Sequence, residues 1–208
     1  MIGFWNYTVI LTYIGLATSV VGMTHAVNGN FKHAIICLAI SGLCDAFDGT
    51  IARTRTVSTD SEKMFGTQLD SLCDVVCFGF FPATICYCMG IRSKVGVALI
   101  IFYVICAVAR LGYFNVLEIE RDPEDDSPKV FYGLPVTSIS VVFPVVYFLS
   151  YWFTMDLKPM LLELMLLILG GLFIANIKLK KPKLVHILLL AICVAALFII
   201  MPYLTMTK

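Results

Sequence analysis

Four aspartates between positions 45 and 74 are the residues in this sequence best suited to chemistry. They form two pairs, Asp45 with Asp48 and Asp70 with Asp74, and both pairs continue into long apolar runs. On a helix, residues three or four apart lie on one face, so each pair would present two carboxylates in the same direction. Carboxylates at a membrane are energetically costly and indicate a functional site.

Two such helices packed side by side would bring all four carboxylates to one place. Their mutual repulsion would be strong unless a positive charge lay between them. Hard divalent cations that take oxygen ligands, Mg²⁺ or Mn²⁺, meet that requirement. The spacing therefore predicts a divalent metal site whose ligands are Asp45, Asp48, Asp70 and Asp74.

Small residues, glycine and alanine, lie on the same two predicted helices as the aspartates. Gly42, Gly49 and Ala52 lie on the aspartate side of the first helix, and Gly66 lies one turn before Asp70 on the second. Small residues let helices approach closely, and they also leave room for a ligand against the backbone. Packing explains any one of them alone, but four in register with four aspartates favour a ligand site.

The stretch from Asp45 to Asp74 resembles the signature of the CDP-alcohol phosphotransferases, D-x2-D-G-x2-A-R-x(n)-G-x3-D-x3-D. Every fixed position is met, with Arg53 as the arginine and Gly66 as the second glycine. The segment 54–65 between them is a few residues longer than is usual in the family. Its polar composition predicts a loop, where insertions are tolerated, so the extra length leaves the aspartate roles intact.

The resemblance implies a membrane enzyme that uses a CDP-activated lipid and releases CMP. It implies two metal ions held by the aspartates, with Asp74 also taking the proton of the attacking hydroxyl. It further implies that Gly49, Ala52 and Gly66 leave space for the cytidine. Arg53 would be the cation near the nucleotide phosphates.

Two flanking segments, ARLGYFN at 109–115 and YGLP at 132–135, resemble those of the phosphatidylserine synthases within this family. Arg110 could extend to the headgroups, or it could bind a phosphate or carboxylate beside the aspartates. One arginine suits the single carboxylate of L-serine, whereas acceptors with a second phosphate call for several cations. Three polar side chains could complete a serine pocket or bond to their own helices: Asn115, Thr137 and Ser138.

The composition is that of a membrane protein. The chain has 208 residues, of which 60% are hydrophobic and 14% charged, and its mean hydropathy is +0.92. No soluble domain of this size combines such values, and the net charge of +1 gives no reason to expect a nucleic-acid partner. We therefore predict an all-α, polytopic transmembrane helix bundle of about six to eight spans. Residues 1–208 would form one domain, with a catalytic core at about 33–154.

Runs of about 20 apolar residues, the length that crosses a bilayer, predict spans at 7–27, 33–53, 66–90, 95–117, 133–154, 159–177 and 184–205. The positive-inside rule places the loops 54–65, 118–132 and 178–183 in the cytoplasm. That side then holds most of the 15 basic residues, namely Arg53, Arg55, Lys63, Arg110, Arg121, Lys129, Lys178, Lys180, Lys181 and Lys183. The aspartate site is therefore predicted to open to the cytoplasm.

Three alternative functions fit part of the pattern. A member of the same family with another acceptor, glycerol 3-phosphate or an inositol phosphate, would keep the aspartates. A cation or proton transporter could use intramembrane aspartates, but it would not need the adjoining glycine, alanine and arginine. A structural membrane protein needs no convergent carboxylates. The expected partners are CDP-diacylglycerol or an archaeal CDP-lipid, L-serine, membrane lipids and a second copy of the chain in a homodimer.

Overall fold

The computed structural model describes residues 3–4, 7–52, 59–119, 131–150 and 157–179. A six-residue π-helical turn, Val75–Phe80, joins two of its helices without a break, and 3-10 turns at Tyr7–Val9 and Val136–Ser138 precede two others. Within these residues the predicted all-α class is confirmed. The α-helices are α1 Ile10–Val27, α2 Phe31–Ala52, α3 Asp60–Asp74, α4 Phe81–Cys88, α5 Lys94–Ile119, α6 Ile139–Ser150 and α7 Leu157–Ile174.

Among the described residues, three helical stretches are long and apolar enough to cross a membrane: Ile10–Val27, Ser61–Cys88 and Lys94–Ile119. The apolar stretch that ends in α6 is shorter. Side chains such as Ile101 and Ile105 expose more than half of their surface, which is typical of a lipid-facing helix. The total of six to eight spans stays a prediction, and the seventh predicted span, 184–205, lies outside the described residues.

Helices α1 and α2 form a tight antiparallel hairpin. Gly29 closes the end of α1 in the left-handed conformation, with φ of +77°, and its N–H bonds back to the carbonyl of Ala26. Small residues then let the two helices approach, since a Cβ placed on Gly22 would lie 2.8 Å from the Cβ of Cys37. The face of α1 that is buried in this hairpin consists of Gly15, Ser19, Gly22 and Ala26.

Helix α3 begins earlier than the sequence predicted. Thr59 Oγ1 accepts a hydrogen bond from the Glu62 N–H at 3.3 Å, and the Glu62 carboxylate accepts one from the Thr59 N–H at 3.0 Å. This reciprocal cap stabilises the first helical turn, because each side chain pairs with a backbone group that would otherwise have no partner. The loop predicted for 54–65 was therefore wrong from Asp60 onward, and 54–58 lie outside the described residues.

The π-helical turn directly follows Asp74 and leads into a proline. Pro82 has no N–H to donate to the carbonyl of Phe78, four residues earlier. That carbonyl accepts a hydrogen bond from Tyr103 Oη at 2.5 Å, and the Tyr103 side chain is fully buried in α5. The bond ties the helix that carries Asp74 to α5.

The segment before α6 is extended, so the predicted start of the fifth span at 133 was wrong. Its first residues form strand β1, Phe131–Tyr132, which pairs in antiparallel fashion with β2, Lys178–Leu179. Gly133 follows with φ of +72°, and its N–H bonds to the carbonyl of Ile177 at 3.0 Å. Pro135 disfavours helix at the residue before it, so helical geometry begins only at Val136.

Helices α5 and α7 run parallel to each other. Gly96 approaches the carboxylate of Glu163 near the start of both helices, and Gly170 approaches Tyr103 further along. The buried core that α5 and α7 share with α4, α6 and the π-helical turn includes Phe78, Phe81, Tyr103, Phe143 and Phe173.

Candidate metal and substrate site

Three aspartates from two helices converge on one point. Asp45 on α2 and Asp70 and Asp74 on α3 each offer a carboxylate oxygen, and these oxygens lie within 4.8 Å of one another. Metal–oxygen bonds of about 2.0–2.6 Å can bridge separations of that size. Among the residues that the structure describes, no other group of three or more His, Cys, Asp or Glu side chains is arranged in this way.

The fourth aspartate, Asp48, borders this group. Its side chain is only 8% exposed, and its Oδ2 accepts a hydrogen bond from Thr12 Oγ1 at 3.1 Å. Its carboxyl group also lies within hydrogen-bonding reach of the Asp70 carboxyl. The predicted convergence of two aspartate pairs therefore takes the form of a group of three, with Asp48 joined to it through Asp70.

Four ionised carboxylates would make this site strongly negative. Arg110 on α5 lies within electrostatic reach of Asp74, but one guanidinium cannot balance four carboxylates. Like charges a few ångströms apart repel strongly where water is excluded. The oxygen-only donor set is the one that hard divalent cations prefer, so this cluster could hold a divalent metal ion.

Arg110 is held inside the protein. It is 9% exposed, its Nε–H donates to the carbonyl of Leu134 at 2.6 Å, and its Cζ lies 5.9 Å from the centre of the Phe114 ring. The side chain is therefore directed toward the protein interior rather than to the headgroups. Its bond to Leu134 connects the ARLGYFN segment to the YGLP segment.

Asn115 joins α5 to α3. Its Oδ1 accepts from Ser71 Oγ at 2.7 Å, and its Nδ2 donates to Gln68 Oε1 at 3.4 Å. Gln68 and Ser71 lie on the same helix as Asp70. The amide of Asn115 is thus used between helices at the edge of the aspartate cluster.

Thr137 and Ser138 lie in the turn that precedes α6, and they differ in their surroundings. Thr137 is half-buried, and its carbonyl accepts a hydrogen bond from Ser140 Oγ at 2.7 Å. Ser138 Oγ is buried and has no hydrogen-bond partner among the described residues. The Ser138 hydroxyl is therefore able to bond to a ligand.

The small residues near the aspartates divide into two kinds. At Gly42 an added Cβ would collide with Ser140 on α6, so this glycine serves helix packing. At Gly66 an added Cβ would meet nothing within 4 Å, so the space beside it is open. Gly49 and Ala52 lie in the last turns of α2, and Arg53 falls outside the described residues.

Three residues at the site were missed from the sequence: Thr12, Gln68 and Ser71. The available signal for Thr12 was its spacing, because it lies three residues before Gly15 on the small-residue face of α1. Gln68 and Ser71 are polar residues within the aspartate-bearing helix, but only the fold shows that both face α5.

Comparison with known proteins gives the context of this arrangement. A relative in Saccharomyces cerevisiae, named CDP-diacylglycerol–serine O-phosphatidyltransferase, is 37% identical over 110 residues, which are 51% of this chain and 38% of the relative. Relatives of the same name in Mycobacterium bovis and Helicobacter pylori are each 27% identical. The match to the Mycobacterium bovis relative covers 161 residues, which are 69% of this chain and 54% of the relative. The match to the Helicobacter pylori relative covers 178 residues, which are 84% of this chain and 71% of the relative.

The chain spans only about two fifths to just over half of the length of the first two relatives. The family model for CDP-alcohol phosphatidyltransferases, however, matches residues 5–207, nearly the whole sequence. The chain belongs to the CDP-alcohol phosphatidyltransferase family.

Proposed function

We propose that the chain transfers the phosphatidyl group of CDP-diacylglycerol, or of a related CDP-activated lipid, to the hydroxyl of L-serine. The products are phosphatidylserine and CMP. The observation that carries the proposal is the convergence of Asp45, Asp70 and Asp74, with Asp48 beside them. The name of these relatives, CDP-diacylglycerol–serine O-phosphatidyltransferase, supports serine as the acceptor.

The proposed reaction is a substitution at phosphorus. The serine hydroxyl oxygen bonds to the phosphorus that bears diacylglycerol, the bond from that phosphorus to CMP breaks, and CMP leaves with the bridging oxygen. Asp74 takes the hydroxyl proton, as a carboxylate next to the reacting group can. Two Mg²⁺ or Mn²⁺ ions, when bound at the aspartates, would neutralise the pyrophosphate and stabilise charge on the transferred phosphoryl group.

The substrates are assigned to two sides of the cluster. The cytidine takes the open space beside Gly66. As the family signature implies, Gly49 and Ala52 leave further room for it, and Arg53, which lies outside the described residues, binds the nucleotide phosphates. The carboxylate of L-serine binds the guanidinium of Arg110, which is already fixed by its bond to Leu134. On the acceptor side Thr137 and Ser138 receive the rest of the serine molecule, and Asn115, which is held by Ser71 and Gln68, lines the edge of the pocket.

An assay of CMP release tests the acceptor. The purified chain in detergent is given CDP-diacylglycerol with L-serine, glycerol 3-phosphate or an inositol phosphate, in the presence of Mg²⁺ or Mn²⁺. We expect release with L-serine alone. A higher rate with glycerol 3-phosphate would refute the serine assignment while leaving the family intact. No release with any acceptor, together with cation flux in proteoliposomes, would support a transporter instead.

We also propose that the site opens to the cytoplasm. Ser61 and Ser93 are both exposed, and they lie at the two ends of the helical stretch Ser61–Cys88 and the turn that follows it. A membrane-impermeant thiol reagent should label Ser61→Cys only from the cytoplasmic side and Ser93→Cys only from the opposite side. The reverse pattern would refute the orientation.

The homodimer and the single domain with a core at about 33–154 stay predictions. Cross-linking of the protein in native membranes, compared with its mass in detergent, would test the dimer. Truncation after residue 154 would test whether the proposed core suffices for CMP release.

A further inference from the structure

Helix α1 carries no acidic residue, yet it touches the aspartate cluster. Thr12 Oγ1 donates a hydrogen bond to Asp48 Oδ2 at 3.1 Å, across 36 residues of sequence. We propose that Thr12 is a positioning residue, whose hydroxyl holds the Asp48 carboxylate beside Asp70 and thereby strengthens divalent-cation binding at the cluster. This inference rests on the metal-binding part of the proposed function, and it is independent of which acceptor is used.

The place of Thr12 is set by buried hydrogen bonds between α1 and α2. Ser19 Oγ donates to Ser41 Oγ at 2.9 Å, and Ser41 Oγ donates to the carbonyl of Gly15 at 3.2 Å. Both serines are fully buried. Because these bonds join a side chain and a backbone carbonyl of α1 to one residue of α2, they fix how α1 is rotated and how far it is shifted. Thr12 lies on the same face, one turn before Gly15.

The hydroxyl of Thr12 has a different kind of hydrogen-bond partner from the hydroxyls of the other threonines in α1. The other two threonines of α1 bond to their own backbone: Thr18 Oγ1 donates to the Ile14 carbonyl at 2.8 Å, and Thr24 Oγ1 donates to the Val21 carbonyl at 2.7 Å. Such back-bonding is the ordinary fate of a helical threonine. Thr12 instead donates to a carboxylate on another helix, so its hydroxyl acts on the site and not on α1.

The donor is also chemically suited to the task. An ionised carboxylate only accepts hydrogen bonds and has about four lone-pair sites. A single hydroxyl uses one of these sites on Oδ2 and so orients the carboxylate. Partners of this kind orient metal-binding carboxylates, and their loss typically weakens metal affinity by about 10–100-fold.

Direct Mn²⁺ titration of the purified full-length chain, followed by the electron paramagnetic resonance signal of free Mn²⁺, tests the proposal without lipid or acceptor. We expect Thr12→Ala to raise the Kd for Mn²⁺ by about tenfold or more. Thr12→Ser keeps the hydroxyl and should retain most of the affinity. Thr18→Ala is the matched control on α1, and its Kd should equal that of the parent.

Three results would overturn the proposal: an unchanged Kd in Thr12→Ala, an equal loss in Thr12→Ser, or an equal loss in Thr18→Ala. The second result would assign the effect to the threonine methyl group, and the third to α1 packing. Failure of the serine assignment is seen separately, because it is measured by CMP release and not by the Mn²⁺ titration.

Discussion

Side chains hold the aspartate cluster in place, whereas backbone carbonyls hold the segment around Arg110. In the first region, which we term the carboxylate region, Thr12 bonds to the side chain of Asp48. In the second, the carbonyl-anchored region, the Arg110 Nε–H bonds to the carbonyl of Leu134, and the Leu134 N–H bonds to the carbonyl of Leu172. The carboxylate region thus depends on the identity of single residues, and the carbonyl-anchored region depends on the path of the backbone.

The largest effect is expected from breaking the carboxylate region. Asp70→Asn keeps the shape of the side chain but removes a charged ligand, so CMP release should fall by about 10²–10³-fold or more, as on loss of one group that stabilises a transition state. Excess chelator should abolish release in the parent, and Mg²⁺ or Mn²⁺ should restore it. Glu163→Gln, at the other end of the bundle, is the control and should retain activity. Full activity in excess chelator would contradict the metal assignment.

Within the same region, Asp74 and Asp48 should behave differently. Asp74→Asn cannot accept the hydroxyl proton, so turnover should collapse while binding of CDP-diacylglycerol persists. Asp48→Asn should also weaken binding of the nucleotide. Equilibrium binding of CDP-diacylglycerol to both variants measures the difference. Equal losses of binding would argue against separate roles.

The carbonyl-anchored region should break when its backbone path is disturbed. Gly133 has φ of +72°, and a Cβ there would collide with the carbonyl oxygen of Phe173. Gly133→Ala should therefore lower the free energy of unfolding by about 1–3 kcal/mol, measured by thermal or denaturant unfolding in detergent. Gly171→Ala, on the neighbouring α7, is the matched control, because a Cβ there meets nothing within 4 Å. A stable Gly133→Ala variant would refute the anchoring.

A smaller effect is expected at Arg110, where the two regions meet. Arg110→Lys keeps the charge but loses the Nε–H bond to Leu134 and the planar guanidinium, so the KM for L-serine should rise by about tenfold. The KM for CDP-diacylglycerol should stay near the parent value. Arg92→Lys, an exposed arginine above the Tyr87 ring, controls for the loss of a guanidinium. An unchanged serine KM in Arg110→Lys would remove Arg110 from the acceptor pocket.

The smallest effect is expected at Gly66, and it separates ligand space from packing. Gly66→Ala adds a methyl group that meets no protein atom, and alanine favours the helix by about 1 kcal/mol, so the protein should be no less stable. If the cytidine occupies that space, the KM for CDP-diacylglycerol should still rise. Gly112→Ala, where a Cβ likewise meets nothing within 4 Å, should leave that KM unchanged. An unchanged KM in Gly66→Ala would place the nucleotide elsewhere.

The carboxylate region was largely predictable from the sequence. Aspartates at helical spacing must share a face, so Asp70 and Asp74 could be paired before the fold was known. Their approach to Asp45 required that α2 lie against the continuous helical stretch formed by α3 and the π-helical turn. The partner of Asp48 was less predictable, because spacing places Thr12 on the small-residue face of α1 but does not show that this face meets an aspartate 36 residues later.

The carbonyl-anchored region was less predictable, for a physical reason. The YGLP motif was visible, but its course depends on carbonyls of Leu172 and Ile177 that lie about forty residues further along the chain. Every residue type carries the same backbone carbonyl, so composition and periodicity do not show which carbonyls accept these hydrogen bonds. The start of α3 was missed differently. The Thr59–Glu62 cap was present in the sequence, but the charged first turn was interpreted as a loop.

The pairing of β1 with β2 brings the chain back to its starting point after α6 and α7. Because Tyr132 and Lys178 are paired, the chain runs along the bundle in one direction in α6 and returns in α7. Helix α5 runs in the same direction as α7. Both helices therefore bring their carboxyl ends to the side of the bundle on which Arg110 lies within reach of Asp74.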